Sequence, residues 1–171
     1  NYLMVLGVRD LTNVPYNLKA QFILGSGQPG NIISFDVLGS CVWGSALDVA
    51  NIAYGSNKYL IVFRSTETYG NNSGNLYGIF VTPAGVKSSS FLISTAPSEG
   101  RPGVASDGTN YLVVWCDFRN GWNNWDVYGR LVSQDGSLIG SEIAITTAPY
   151  RQQGTATVSS YGDGKYFLTW H

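Results

Sequence analysis

Residues 102–132 decide the fold, and they read PGVASDGTNYLVVWCDFRNGWNNWDVYGRLV. Two short runs of β-forming residues are separated by Asp107-Gly108, and a polar loop then leads to a third run that begins at Asp126. Asp-Gly is a common hairpin turn, because glycine readily adopts the positive φ that such turns require. The stretch therefore predicts three consecutive antiparallel strands.

The same pattern returns along the whole chain. The tyrosine that opens the second run recurs as Tyr2, Tyr59, Tyr111 and Tyr166, at spacings of 57, 52 and 55 residues. Each tyrosine is followed by a continuous apolar run, so both faces of the predicted strand are apolar. This pattern is typical of a strand that is covered on both sides. We name the four β-runs of each repeat A, B, C and D, with the tyrosine at the start of B.

These runs predict thirteen strands in the order B-C-D, A-B-C-D, A-B-C-D, A-B. The A runs are 49–54, 103–106 and 155–159; the B runs are 3–6, 60–63, 112–115 and 167–170; the C runs are 18–24, 76–81 and 127–132; the D runs are 32–35, 91–93 and 143–145. The repeats span about 1–48, 49–96, 97–147 and, in part, 148–171.

Four-stranded antiparallel units that repeat at such a period are the signature of β-propeller blades. The prediction is a single all-β segment, 1–171, of about three blades and part of a larger ring. A two-sheet β-sandwich is the alternative fold. Because the chain opens directly within a β-run, we expect it to be a segment of a longer protein.

The composition favours a secreted or cell-surface protein. Charged residues make up only 12 % of the chain, so hydroxyl and amide groups must supply most of its polar surface. The net charge is −1 and the basic residues are scattered, which does not fit a nucleic-acid binder. No apolar run is long enough to predict a membrane-spanning helix.

The chain has few residues for metal or disulfide chemistry. His171 is the only histidine, so a zinc site of the usual ligand types is not expected. Cys41 and Cys116 are the two cysteines, and we expect two separate thiols, with one disulfide as the open alternative. Asp107-Gly108, Asp135-Gly136 and Asp163-Gly164 each stand alone, and we interpret them as turns rather than calcium loops. No cofactor is expected, and calcium in the loop between Asp117 and Asp126 is the weaker alternative.

The segment 102–132 resembles the repeats of TolB-type β-propellers. It also resembles the Tyr-Leu-Val-Val-Trp…Asp-x-Arg-Asn…Asp-Val-Tyr-Gly repeats that occur in tandem in large secreted bacterial and archaeal proteins. The resemblance is close for 97–147, good for 49–96 and partial elsewhere. It implies that A is the innermost strand of each blade and D the outermost. It implies no particular activity, because such repeats share none.

Asp117, Arg119 and Asp126 form the most prominent polar motif. We interpret it as structural, with Arg119 held between the two carboxylates at the ends of neighbouring strands. The second repeat has Ser65, Glu67 and Asn75 in the corresponding places. A motif that recurs in degraded form is more typical of a blade fastening than of a catalytic centre.

The candidate ligand-binding residues lie where the repeats differ. Trp rings with neighbouring amides are suited to stack on a sugar and to bond its hydroxyl groups. The candidates are Trp122, Asn123, Asn124, Trp125 and Tyr69. The alternative is that these rings pack against the blade edge.

The sequence favours a non-catalytic module that binds carbohydrate or protein, or that assembles with other copies or with the rest of a longer chain. The competing hypothesis is a fragment of a propeller glycoside hydrolase or lyase, which needs two converging carboxylates. Glu67, Glu99, Glu142, Asp10, Asp36 and Asp48 are the available acids. Asp48 and Arg101 are the positions expected to face the channel under that hypothesis.

Overall fold

The structure is a computed structural model. In the part of the chain that it describes, the regular secondary structure consists of β-strands. The described residues are 2–8, 16–39, 50–65, 74–98, 102–121, 123–147, 154 and 156–171. The strands are β1 (Tyr2–Val8), β2 (Tyr16–Ile23), β3 (Pro29–Gly39), β4 (Ala50–Gly55), β5 (Lys58–Ser65), β6 (Gly74–Val81), β7 (Phe91–Ser98), β8 (Gly103–Ser106), β9 (Asn110–Asp117), β10 (Asp126–Ser133), β11 (Leu138–Thr146), β12 (Thr157–Gly162) and β13 (Lys165–Thr169). The all-β class expected from the sequence is confirmed, and no helix that could cross a membrane occurs in these residues.

The strands form four antiparallel units in chain order. Unit 1 contains β1–β3, unit 2 contains β4–β7, unit 3 contains β8–β11, and unit 4 contains β12 and β13. Within each unit, strands that are consecutive in the chain are hydrogen-bonded neighbours. One residue pair, Ser98 with Asp117, joins β7 to β9 and so links units 2 and 3 into one eight-stranded sheet.

Each predicted run overlaps one of these strands, but the D strands are longer than predicted. β11 covers Leu138–Thr146 where 143–145 was expected, and β3 covers Pro29–Gly39 where 32–35 was expected. The ladders that join these strands to β10 and β2 contain register shifts. A bulge interrupts the strict alternation of side chains, so a strand extends beyond the part that its apolar pattern marks.

The units pack face to face, and units 2 and 3 are covered on both faces, which explains why the B runs in β5 and β9 are apolar on both sides. The B runs in β1 and β13 were expected to be covered on both sides as well, but Met4 and Phe167 are 42 % and 69 % exposed, because the described residues pack against units 1 and 4 from one face only. In β9, Tyr111, Val113 and Trp115 belong to the cluster shared with unit 2, whereas Leu112 and Val114 belong to the cluster shared with unit 4. All five are at most 6 % exposed. Alternate residues of a strand point to opposite faces, so one strand serves two cores. A third cluster joins Leu3, Leu18, Ala20, Phe22 and Phe35 of unit 1 to Ile61, Phe63, Ile79 and Val81 of unit 2.

The first strands of units 2, 3 and 4 lie side by side, since β8 contacts both β4 and β12. The approach is closest between the end of β4 and the end of β8. A Cβ built on Gly55 would lie 2.0 Å from the Ser106 Oγ and 2.6 Å from the Ser106 Cβ. Only glycine therefore fits at position 55 without a shift of one strand.

The hairpin turns have the backbone geometry that their Gly and Asx residues predict. Positive φ angles occur at Asn57 (65°), Gly108 (91°), Gly136 (91°) and Asp163 (60°). Asn, Asp and glycine tolerate this left-handed region at the lowest cost. The turns thus hold adjacent strands in register at the ends of the units.

The two cysteines were expected to be separate thiols. Cys116 carries a free thiol and is buried in the cluster between units 3 and 4. Its burial raises the pKa of the thiol. Cys41 lies outside the described residues.

Candidate functional site

The polar motif lies where β9 ends and β10 begins. Asp117 and Asp126 are directly opposite each other in the antiparallel ladder. Both are buried, at 0 % and 1 % exposure. Two carboxylates so placed are costly unless each finds donors, because burial disfavours an unpartnered charge.

Asp117 accepts hydrogen bonds with both of its oxygens. The Trp115 Nε1 donates to Oδ2 at 3.0 Å. Arg119 donates from its backbone N at 3.1 Å, from Nε at 2.9 Å and from Nη2 at 2.6 Å. The Asp117 carboxylate is therefore fully engaged by its own strand and by the loop that follows it.

The second carboxylate partner of Arg119 is Glu142 of β11, and not Asp126 as the sequence predicted. The Arg119 Nη1 lies 2.7 Å from the Glu142 Oε2, and the guanidinium stacks on the Tyr128 ring at 3.8 Å. The prediction failed because Glu142 comes from the outer strand of the sheet, 23 residues further along the chain. Burial lowers the pKa of Arg119, but the hydrogen bonds to Asp117 and Glu142 outweigh it and raise this pKa.

Glu142 also connects two units. The Ser94 hydroxyl of β7 donates to the Glu142 Oε1 at 2.6 Å. Partial burial raises the pKa of Glu142, but the hydrogen bonds from Ser94 and Arg119 prevail, and the pKa lies below its ordinary value. The ionised group thus joins unit 2 to unit 3 through Ser94 and Arg119.

Asp126 is held by an amide and not by a cation. The Asn120 Nδ2 lies 2.6 Å from the Asp126 Oδ2 and 3.0 Å from the Tyr128 hydroxyl. The Asp126 Oδ1 and the Asn124 Oδ1 are buried without a hydrogen-bond partner. Both carboxylates of the pair are thus buried, and one oxygen of Asp126 accepts no hydrogen bond.

The predicted ligand-binding residues are only partly within the described structure. Asn123 is exposed in the loop, whereas Asn124 and Trp125 are half-buried. The Asn124 backbone N donates to the Gly121 carbonyl at 2.8 Å, which closes a tight turn. Trp122 and Tyr69 lie outside the described residues, as do Glu67, Asp48 and Arg101.

Two of the three Asp-Gly turns, at Asp107 and Asp135, are held by their own aspartates. The Asp107 Oδ1 accepts from the backbone N of Thr109 at 2.7 Å and of Asn110 at 2.6 Å. The Asp135 Oδ1 accepts from the Ser133 hydroxyl and from the backbone N of Ser137. The bond from Ser133 lowers the pKa of Asp135 to about 2. Among the described residues, no three His, Cys, Asp or Glu side chains are grouped to hold a metal ion.

The tyrosines that open the B runs connect successive units, a role that the sequence analysis missed. The Tyr111 hydroxyl lies 2.7 Å from the Gly55 carbonyl and 3.1 Å from the Lys58 carbonyl, at the hairpin turn of unit 2. The Tyr166 hydroxyl donates to the Asn110 carbonyl at 3.2 Å, at the turn of unit 3. The recurrence of the tyrosine was visible, but its contact with the preceding turn requires the stacking of the units.

A cavity of about 630 Å³ lies beside this row of turns, between units 1 and 2. Its lining includes Tyr2 and Leu3 of β1, Ile52 and Tyr54 of β4, and Tyr59 of β5. Tyr54 and Tyr59 pack with their ring centroids 4.7 Å apart. The lining residues that the structure describes carry no charged side chain.

Tyr54 differs from the residues at the equivalent position of units 3 and 4. The ladder pairs Tyr54 with Tyr59, Ser106 with Tyr111 and Ser160 with Tyr166, so a serine occupies this place in units 3 and 4. In both units the serine Oγ donates to a carbonyl across its turn and accepts a backbone N–H two residues on. Unit 2 replaces this turn-fixing serine with a tyrosine that is half exposed.

Comparisons with protein-family models, with curated proteins and with solved structures found no match to this chain.

Proposed function

We propose that the chain is a non-catalytic, secreted or cell-surface module of β-propeller blades that binds carbohydrate or protein, or that serves extracellular assembly. Each of the four units is then a complete or partial blade. The resemblance of 102–132 to TolB-type and secreted tandem repeats supports this proposal.

The packing of the units supports the assignment as blades. The sheets are stacked face to face, and the first strands β4, β8 and β12 contact one another in series. In a propeller, the first strand of each blade lies nearest the central axis, where it meets the first strands of its neighbours. A β-sandwich has two facing sheets, whereas here units 2 and 3 are each covered on both faces.

The engagement of the polar motif carries the non-catalytic assignment. Asp117 and Asp126 are buried, and Asp117 is bound by Arg119 and Trp115. Glu142 is linked to Asp117 through Arg119, with which it forms an ion pair. A glycoside hydrolase needs one carboxyl group to donate a proton and one to attack or activate water at an accessible bond.

The composition supports an extracellular location. A surface made polar by hydroxyl and amide groups, with 12 % charged residues, fits a protein that contacts glycans or other proteins outside the cell. Antibody detection on intact producing cells and in their medium tests this directly. Detection only after cell lysis would contradict it.

The binding role is tested by presenting the intact chain to immobilised neutral and acidic glycans and to extracellular proteins, while the same glycans are assayed in solution for new reducing ends and unsaturated products. We expect saturable binding to one class and no product. Product formation that is lost in Asp126→Asn while the variant stays folded would instead establish the glycoside hydrolase or lyase.

A further inference from the structure

Two buried oxygen atoms at the start of β10 have no hydrogen-bond donor. They are the Asp126 Oδ1 and the Asn124 Oδ1. A carboxylate and the amide oxygen of an asparagine can only accept, so these two atoms cannot satisfy each other. Asp126 is 1 % exposed, and bulk solvent therefore does not supply the donor. Buried acceptors of this kind need a hydrogen-bond donor or a cation.

The charge of Asp126 has no cationic partner among the described residues. The ion pairs of this cluster join Arg119 to Asp117 and to Glu142, and neither includes Asp126. Asp126 instead accepts from the neutral amide of Asn120, and the Asp117 carboxylate lies opposite it in the ladder. A buried carboxylate beside a second carboxylate is costly, and a bound cation would offset that cost.

The equivalent position of unit 2 shows that the fold alone does not require this charge. Asn75 takes the place of Asp126 there, and its Nδ2 lies 3.4 Å from the Tyr77 hydroxyl. In unit 3 the corresponding tyrosine, Tyr128, receives its amide contact from Asn120 of the loop. The strand pair thus forms with or without a carboxylate at this point.

We propose that Asp126 and Asn124 bind a calcium ion through these two oxygens, with carbonyl groups of the loop main chain and water as the remaining ligands. Calcium takes about six to eight oxygen ligands, among them carboxylate, amide and backbone oxygens, and it tolerates irregular geometry. Backbone bonds from Gly121 to Phe118 and from Asn124 to Gly121 close this loop into tight turns. A set with one carboxylate suits the weak sites of extracellular modules, whose Kd is about 10⁻⁴–10⁻³ M.

The thermal unfolding midpoint of the intact 171-residue chain, measured in EDTA and in calcium chloride at constant ionic strength, tests the site. Because calcium binds the folded chain, the midpoint should rise and approach saturation between about 0.1 and 10 mM calcium. Asp126→Asn gives unit 3 the residue of unit 2, and its midpoint should not respond to calcium. The control Asp163→Asn removes an exposed carboxylate and should respond as the unchanged chain does.

The same measurement separates a calcium ligand from a purely structural carboxylate. In EDTA, Asp126→Asn should be at least as stable as the unchanged chain, because it removes a buried charge that no cation then offsets. An equal loss of stability in both solutions would contradict the proposal, as would a calcium response that Asp126→Asn retains. A midpoint of the unchanged chain that calcium does not move would overturn it, and a water molecule or a reoriented Asn124 amide would then satisfy the two oxygens.

Asn124→Asp tests the second ligand by a gain of affinity, because a second carboxylate in the set tightens calcium binding. Calorimetric titration should show at least a threefold lower Kd for this variant and an unchanged Kd for Asn123→Asp, whose residue is exposed in the loop. Equal affinities of the two variants would contradict the assignment of Asn124. The site is independent of the proposed binding role, so failure of calcium binding leaves the assays on glycans and proteins as a separate test.

Discussion

Units 2 and 3 have the same strand order but hold the ends of their central strands differently. In unit 3 the residues that face each other at this point are Asp117 and Asp126, and in unit 2 they are Ser65 and Asn75. Asp117 of unit 3 binds Arg119, and the Arg119 side chain also binds Glu142 of β11. The unit 2 pair carries no charge.

The aromatic pairs beside these residues show the same contrast. Tyr128 of unit 3 is buried beneath the Arg119 guanidinium. Tyr77, its counterpart in unit 2, stacks on Phe63 with the ring centroids 6.0 Å apart. The same ladder position thus holds a charged pair in unit 3 and an uncharged pair in unit 2.

Asp117→Ala should cause the largest loss of unfolding free energy, and it should show the contrast between units 2 and 3 most clearly. It leaves Arg119 and the Trp115 Nε1 without their acceptor, and the loss of one member of a buried ion pair costs about 3 kcal/mol. Urea unfolding measures this, with Ser65→Ala as the matched variant of unit 2 and an expected cost below about 1 kcal/mol. Equal losses in both variants would show that the charge gives unit 3 no added stability.

Gly55→Ala tests the close approach of the two units at β4 and β8. The new Cβ would clash with Ser106, and overpacking of this kind costs about 2 kcal/mol. Gly25→Ala is the control, because a Cβ there meets no atom within 4 Å. Thermal unfolding should show a lower midpoint for Gly55→Ala only. Identical midpoints would contradict the side-by-side placement of these strands.

Tyr111→Phe should reduce stability by about 1 kcal/mol, because it removes a buried hydrogen bond between units 2 and 3. Tyr166→Phe removes the equivalent bond between units 3 and 4, which is longer and less buried, and should cost less. Urea unfolding of both variants gives the order of the two effects. The reverse order would mean that burial does not determine the strength of this repeated contact.

The same tyrosines predict a loss of stability in alkaline solution. Burial raises the pKa of Tyr111 and of Tyr166 above the ordinary value of 10.0. Above about pH 10 the unfolded chain releases these protons while the folded chain keeps them, so stability falls as the pH rises. Between pH 9 and 11, the urea midpoint should decrease less in the double variant Tyr111→Phe/Tyr166→Phe than in the control Tyr161→Phe. Tyr161 is exposed, so its replacement should not change the pH dependence. Equal decreases would contradict the assignment.

The sequence predicted the strands well because their physical signals are local. The apolar runs, the Asp-Gly turns and the recurring tyrosine each depend on only a few neighbouring residues. The partner of Arg119 was predicted wrongly, since the bulges between β10 and β11 decide which β11 side chain reaches it. The Ser94 contact and the tyrosine contacts depend on how the units stack, which no local pattern contains.

The central claim is that the most site-like cluster of the chain fastens unit 2 to unit 3. A double-mutant cycle on Ser94→Ala and Glu142→Ala, measured by urea unfolding, tests it most directly, because these two residues bridge the units. The account predicts a coupling of at least about 0.5 kcal/mol. Losses of stability that simply add would contradict it.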